Sequence, residues 1–159
     1  MKTQKAIFAA GCFWGVEAKF RKVKGVINTR VGYTGGSFRE PTYSDVCSHK
    51  TGHAEAIEVT FDPSIVSFDD LLDVFWSIHD PTTLNRQGPD VGTQYRSAIF
   101  YLNSEQKEKA ERSKDKLEES KIFKKPIVTQ IVSASEFWEA EDYHQQYVEK
   151  RNQNYIPYI

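Results

Sequence analysis

Cysteine is scarce in this chain. Its 159 residues hold two, Cys12 and Cys47, too few for a disulfide framework and wrongly spaced for a four-thiolate zinc site. Excess charge of either sign is missing as well. Lys plus Arg number 21 against 22 for Asp plus Glu, a net charge of -1, so no basic field exists to hold nucleic acid or anionic lipid. Long apolar runs are absent too. Lys2 and Lys5 precede an uncharged stretch in which Ala9-Ala10-Gly11-Cys12 imitates a lipoprotein cleavage box. Only residues 6–10 are apolar before that cysteine, whereas a signal segment needs roughly 7 to 15 residues and a spanning helix about 20. Both membrane readings are set aside. Methionine is limited to Met1, which leaves oxidants almost no thioether to damage.

What is present reads as one reduced, globular domain over 1–159, expected in the cytoplasm. No segment is repetitive, low in complexity or linker-like, and the length suffices to bury about two thirds of the unfolded surface. Residues 5–10 read as a buried strand, and Val16, Phe20 and Val23 then recur at helical spacing. Residues 26–33 are strand-like up to Gly35-Gly36, and 56–61 alternate as a half-buried strand. Ser67 and Asp70 form a capping-box signal ahead of Phe68, Leu71, Leu72 and Phe75, the periodicity of a core-facing helix. Residues 80–95, with Pro81, Gly88, Pro89 and Gly92, have no period and suggest a binding loop. A strand at 97–102, a polar, solvated helix at 104–119, a strand at 127–132 and a helix at 139–150 complete the reading. Strands and helices mix without strict alternation, which predicts an α+β fold: a mixed, largely antiparallel sheet with helices packed on it.

Cys12 falls where the first strand hands over to a helix. There the helix dipole and unpaired N–H groups favour thiolate, so its pKa is expected to fall. A drop from about 8.5 to about 6.5 would raise the nucleophilic fraction at pH 7 roughly twentyfold. Position alone fits a small core cysteine equally well. Phe13 and Trp14 follow directly between Gly11 and Gly15, placing two large rings beside the thiol and leaving room for a close-approaching ligand.

The run Gly11-Cys12-Phe13-Trp14-Gly15 resembles the signature of the peptide methionine sulfoxide reductase A family. The likeness continues through Pro41-Thr42-Tyr43, Val46-Cys47-Ser48, Thr51-Gly52-His53-Ala54-Glu55, His79-Asp80-Pro81-Thr82-Thr83, Gln87-Gly88-Pro89-Asp90, Gly92-Thr93-Gln94-Tyr95-Arg96-Ser97 and Ala140-Glu141-Asp142-Tyr143-His144-Gln145. That resemblance implies a ferredoxin-like two-layer core and a peptide-methionine (S)-S-oxide reductase, acting on free or protein-bound substrate through a cysteine sulfenic acid. It implies Cys12 as nucleophile and Glu55 as the acid that protonates the departing oxygen, a role for a carboxyl kept neutral by burial. Tyr43 and Tyr95 match phenols that hydrogen-bond the sulfoxide oxygen, and Asp90 a carboxylate that orders that side. Phe13 and Trp14 match the wall around the ε-methyl group. Burying one methyl is worth only about 0.8 kcal/mol, so the wall orients more than it binds.

The same resemblance implies no bound cofactor, an external thiol reductant (thioredoxin or a small thiol such as glutathione) and a monomer. Many family members carry resolving cysteines near the carboxyl end; residues 152–159 contain none. Cys47 is the internal candidate for resolving a Cys12 sulfenic acid, with direct reduction by an external thiol the equal alternative. Three rival readings differ in kind. Cys12, Cys47, His49 and His53 could form a zinc site, although C-x-H-x₃-H is cramped for the usual loops. Cys12 with a base among His49, His53, His79 and His144 could make a thiol hydrolase, though all four histidines read more simply as turn or structural residues. A binding module built on 80–95 would leave the thiol unexplained.

Overall fold

The computed structural model describes residues 2–154; of the cysteine-free stretch 152–159, residues 155–159 lie outside them. Strand β1 (Gln4–Ala10) is followed by helix α1 (Phe13–Arg21), β2 (Val26–Thr34), the short α2 (Tyr43–Cys47), β3 (Ala54–Phe61) and α3 (Phe68–Ser77). A small hairpin, β4 (Arg86–Gln87) and β5 (Asp90–Val91), leads through a 3-10 turn, Thr93–Tyr95, into β6 (Ser97–Tyr101). Then come α4 (Ser104–Ser120), β7 (Gln130–Ser133), β8 (Trp138–Glu139), a second 3-10 turn, Asp142–His144, and α5 (Tyr147–Asn154).

The main sheet runs β7-β6-β1-β3-β2-β8, and every pairing is antiparallel except β6 with β7. Within it β1-α1-β2-β3-α3-β6 is wound in the split βαβ order, giving the expected layered α+β architecture. Alternation along β1 sends Ala6, Phe8 and Ala10 toward the helices and Ile7 and Ala9 to the opposite face. Phe8 centres the helix-side core, its ring 5.2 Å from Phe20, 5.3 Å from Phe75 and 6.0 Å from Phe68. Ala54, Ala56, Ala98 and Phe100 join Ile7 and Ala9 in a thinner layer under Ala134 and Phe137.

That second layer corrects one expectation. β3 is buried on both faces rather than half-buried, because residues after β7 cover its far side. Glu58 tolerates the position by pairing with Arg30 at 2.8 and 3.1 Å. The predicted strand at 127–132 is paired only over Gln130–Ser133, and the predicted helix at 139–150 is broken into β8, the second 3-10 turn and α5. The Ser67–Asp70 capping box forms as read. Among the described residues no helix is long and apolar enough to cross a membrane.

Candidate active site

Gly11 turns the chain from β1 into α1 at φ +103°, a conformation side chains disfavour, and a Cβ there would stand 2.9 Å from Gln87 Cγ. Cys12 is the N-cap of α1, partly exposed and free. The backbone N–H groups of Trp14 and Gly15 point at its sulfur and favour the thiolate. Burial nevertheless dominates, and the Glu55 and Asp90 carboxylates add to it, so the thiol is pushed up to about 11. The expected fall in its pKa is therefore corrected: the helix entrance supplies donors, but the surroundings are dry and negatively charged.

Glu55 is the second residue of β3, opposite Tyr33 in β2, and only 1% exposed. Its Oε1 accepts from Phe13 N at 3.2 Å, which sets the carboxyl under the amino end of α1 beside Cys12. Burial raises its pKa to about 7, the Phe13 N–H opposing and Asp90 assisting. Glu55 is thereby placed to exchange a proton near neutral pH. Asp90 arrives on β5, opposite Gln87 of the hairpin, so part of the unpredicted structure in 80–95 is what delivers it.

Tyr43 opens α2, whose Thr42 and Asp45 cap each other reciprocally. Its backbone N–H donates to Glu141 Oε2 at 2.9 Å, while Glu141 Oε1 accepts from the Tyr33 hydroxyl at 2.8 Å. The Tyr43 phenol is held protonated by burial first and then by the neighbouring Cys47 thiol. Tyr95 is raised likewise, by burial first and then by the fields of Glu55, Asp90, Cys47 and Cys12. All six of these polar positions therefore share one neighbourhood. Phe13 is 1% exposed, packed against Tyr33 and His144, so it backs the site from within, and Trp14 is the more exposed ring.

His144, assigned a structural role above, belongs here. It is fully buried, its ring 4.6 Å from Tyr43, and its Nδ1 accepts the Trp14 indole N–H at 2.8 Å. Since an indole only donates, Nε2 carries the hydrogen, and it has no partner among the described residues. Burial lowers the His144 pKa against the pull of Glu141, keeping the ring neutral. Glu141 and Tyr147, stacked on Trp14 at 3.9 Å, were also missed. The only sequence signal was the block 140–145.

The alternative zinc set does not assemble. His53 uses both ring nitrogens, on Gly36 N and Phe38 O, and His49 Nδ1 meets Gln94 Oε1 at 2.9 Å. Among the described residues no group of three or more His, Cys, Asp and Glu is placed to hold a metal ion. His79 is tied to Phe75 O and Ser97 Oγ. A cavity of about 910 Å³ lies between α3 and α4 and touches none of Cys12, Glu55, Tyr43, Asp90 or Tyr95.

A half-open thiol beside a neutralisable carboxyl group and two protonated phenols, on this fold, is the equipment of a cysteine-dependent oxidoreductase. Comparison with known proteins specifies which. The family model described as peptide methionine sulfoxide reductase matches residues 4–159. The peptide methionine sulfoxide reductase MsrA of Methanosarcina acetivorans is 66% identical over 148 residues, 93% of this chain and 79% of that protein. Its namesake in Methanothermobacter thermautotrophicus is 66% identical over 147 residues, 92% of this chain and 87% of that protein. Among solved structures, reduced Mxr1 of Saccharomyces cerevisiae superposes with a TM-score of 0.89 at 35% identity, over 98% of this chain and 89% of that one. Methionine sulfoxide reductase A of Corynebacterium diphtheriae gives 0.84 at 38%, over 98% and 78%. The chain belongs to the peptide methionine sulfoxide reductase family.

Proposed function

We propose that the chain, acting as a single domain, reduces the S epimer of methionine sulfoxide, free or in oxidised proteins, with Cys12 as nucleophile and Glu55 as proton relay. The observation that carries this reading is the buried Glu55 carboxyl, poised near pH 7 beside the thiol. A sulfoxide oxygen leaves only if it takes a proton, and a carboxyl group that is half neutral can both receive and give one. Because Cys12 rests as a thiol, Glu55 takes that proton as the sulfur attacks and passes it to the sulfoxide oxygen. The step balances: Cys12–SH plus sulfoxide gives Cys12–SOH plus sulfide, cysteine sulfur losing the two electrons that methionine sulfur gains. Tyr43 and Tyr95, kept protonated, donate to the polarised oxygen, and burial, assisted by the Asp90 charge, holds the Glu55 pKa up. Trp14, backed by Phe13, walls the methyl group.

Regeneration condenses the sulfenic acid with a second thiol, releasing water, and a further thiol reduces the disulfide. An external thiol is the reading that the capped α2 favours, since Cys47 closes that helix and the Thr42–Asp45 box holds its other end. The solved complex of yeast Mxr1 with Trx2 supports a thioredoxin-type reductant. Mass spectrometry after one turnover separates the routes: a Cys12–Cys47 disulfide in the wild type, absent in Cys47→Ser, assigns resolution to Cys47 instead.

The central test is single-turnover reduction of each pure sulfoxide epimer. Consumption of the S epimer alone, its loss in Cys12→Ser, and a fall of about 10² to 10⁴ in Glu55→Gln are expected. Full activity in Cys12→Ser would end the proposal.

A further inference from the structure

The indole of Trp14 is fixed largely from outside its own helix. His144 accepts its N–H at 2.8 Å, and the Tyr147 ring stacks on it at 3.9 Å and 10°. The partners flank the junction of the second 3-10 turn, which ends at His144, and α5, which opens at Tyr147; within it Gln146 takes φ +54°, a left-handed conformation that non-glycine residues seldom adopt. Something must hold that turn.

Glu17 does so. It lies on the buried face of α1 with Phe13, Val16 and Phe20, three residues beyond Trp14, and is 1% exposed. A carboxyl group in such a place is costly unless both oxygens are paired. Oε1 accepts from the Gln146 backbone N–H at 2.6 Å, and Oε2 accepts from Thr29 Oγ1 of β2 at 2.7 Å. Arg21 extends the link, donating through Nη1 to Thr29 Oγ1 and through Nε to Glu149 of α5. The carboxyl thus ties α1, β2 and the 144–147 turn together directly behind the indole.

We propose that Glu17 is a positioning residue: by holding the Gln146 N–H it sets the turn that clasps Trp14, and so fixes the size of alkyl group accepted on the sulfoxide sulfur. The inference rests on the reading of Trp14 as the methyl wall. It reaches specificity rather than chemistry, because no hydrogen bond made by Glu17, Thr29, Arg21 or the Gln146 N–H involves Cys12 or Glu55.

The test compares purified S epimers of methionine sulfoxide and its S-ethyl analogue, ethionine sulfoxide, on wild type, Glu17→Ala, Glu17→Gln, Thr29→Val and Trp14→Phe. In Glu17→Ala, KM for the methyl substrate should rise about tenfold while the single-turnover rate at saturation stays within about threefold. The methyl-to-ethyl ratio of kcat/KM should narrow in the same variant. Glu17→Gln keeps an acceptor for Gln146 and should remain within about threefold of wild type on both measures. Should Glu17→Ala not fold, Thr29→Val, which frees the other oxygen, must shift KM and the ratio in the same direction. Unchanged KM and ratio in a folded Glu17→Ala, with Trp14→Phe altered, overturns the role of Glu17 alone. An unaltered Trp14→Phe overturns the wall reading and this inference with it.

Discussion

In its proposed role Glu55 faces two demands that oppose each other. Catalysis wants its pKa near neutrality, and the burial that achieves this charges the fold for every ionised copy. Its folded pKa, about 7, stands above the ordinary 4.5, so its contribution to stability is fully present below about 4.5 and is lost as pH rises through 7. Glu55→Gln keeps an acceptor for Phe13 N without the charge. It should match wild type near pH 4 and exceed it by up to about 3 kcal/mol at pH 8 in urea titrations; equal stabilities at pH 8 would contradict the burial argument. The relay makes a second prediction. One proton shared between a thiol at about 11 and a carboxyl at about 7 defines the working state, so kcat/KM should rise through pH 7 to a plateau below 11, and that limb should vanish in Glu55→Gln. A decline above pH 7 would mean that the proton must come already bound to Glu55. The misjudged thiol pKa shows what a residue-by-residue reading can reach. Cys12 at a helix entrance is visible in the local sequence, but the tertiary packing that buries it is not, nor are the charges of Glu55 and Asp90, which reach it from β3 and β5 and add to the reversal of sign.

The two glycines that bracket Cys12 look alike in sequence and differ at the level of the element. Gly11 makes a turn at positive φ against Gln87, whereas Gly15 sits inside α1 with open space where a Cβ would go. Gly11→Ala should therefore destabilise by about 1 to 3 kcal/mol, and Gly15→Ala should stabilise by about 0.5 to 1 kcal/mol by removing backbone entropy from the unfolded chain. Thermal or urea unfolding of the two variants reads both signs, and a destabilised Gly15→Ala would disprove the open-space assignment. Elements of regular period were legible: α3 announces itself by its cap and its spacing of Phe68, Leu71, Leu72 and Phe75. α2 is too short to show a period, although its Thr42–Asp45 cap is just as local. The helix expected at 139–150 fails for a reason no window of sequence contains. The Gln145 side chain takes the place of a strand, accepting from Val31 N and donating to Val31 O, which docks the segment on β2 and breaks the helix.

At the scale of the molecule, the proposed site is a meeting of four segments: the β1–α1 turn, the connection from β2 to β3 with the first residues of β3, the small hairpin with its following turn, and residues 140–147. Family resemblance assigned site residues in the first three and matched 140–145 without giving it a role; convergence of that segment on Trp14 and Tyr43 was hidden, since periodicity reports which face is buried and not what lies across it. Glu141 is the clearest of these cross-links, joining Tyr33 of the sheet to the first residue of α2. Burial pushes its carboxyl up, but the Tyr43 N–H and the Tyr33 hydroxyl outweigh that and leave its pKa lowered. Its contribution is accordingly present above about 4.5 and lost as pH falls through the folded value, the reverse of Glu55. Glu141→Ala strands a buried phenol and a backbone N–H together, so a loss of about 1 to 3 kcal/mol is expected at pH 7. Tyr43 loses its anchor at the same time, and kcat/KM should fall at least about tenfold even at temperatures where the variant is fully folded. Glu141→Gln keeps one acceptor and should lie between the two, its deficit shrinking toward pH 4. A Glu141→Ala variant that is destabilised yet fully active would show that Tyr43 is placed by α2 alone, and that residues 140–147 support the fold without shaping the site.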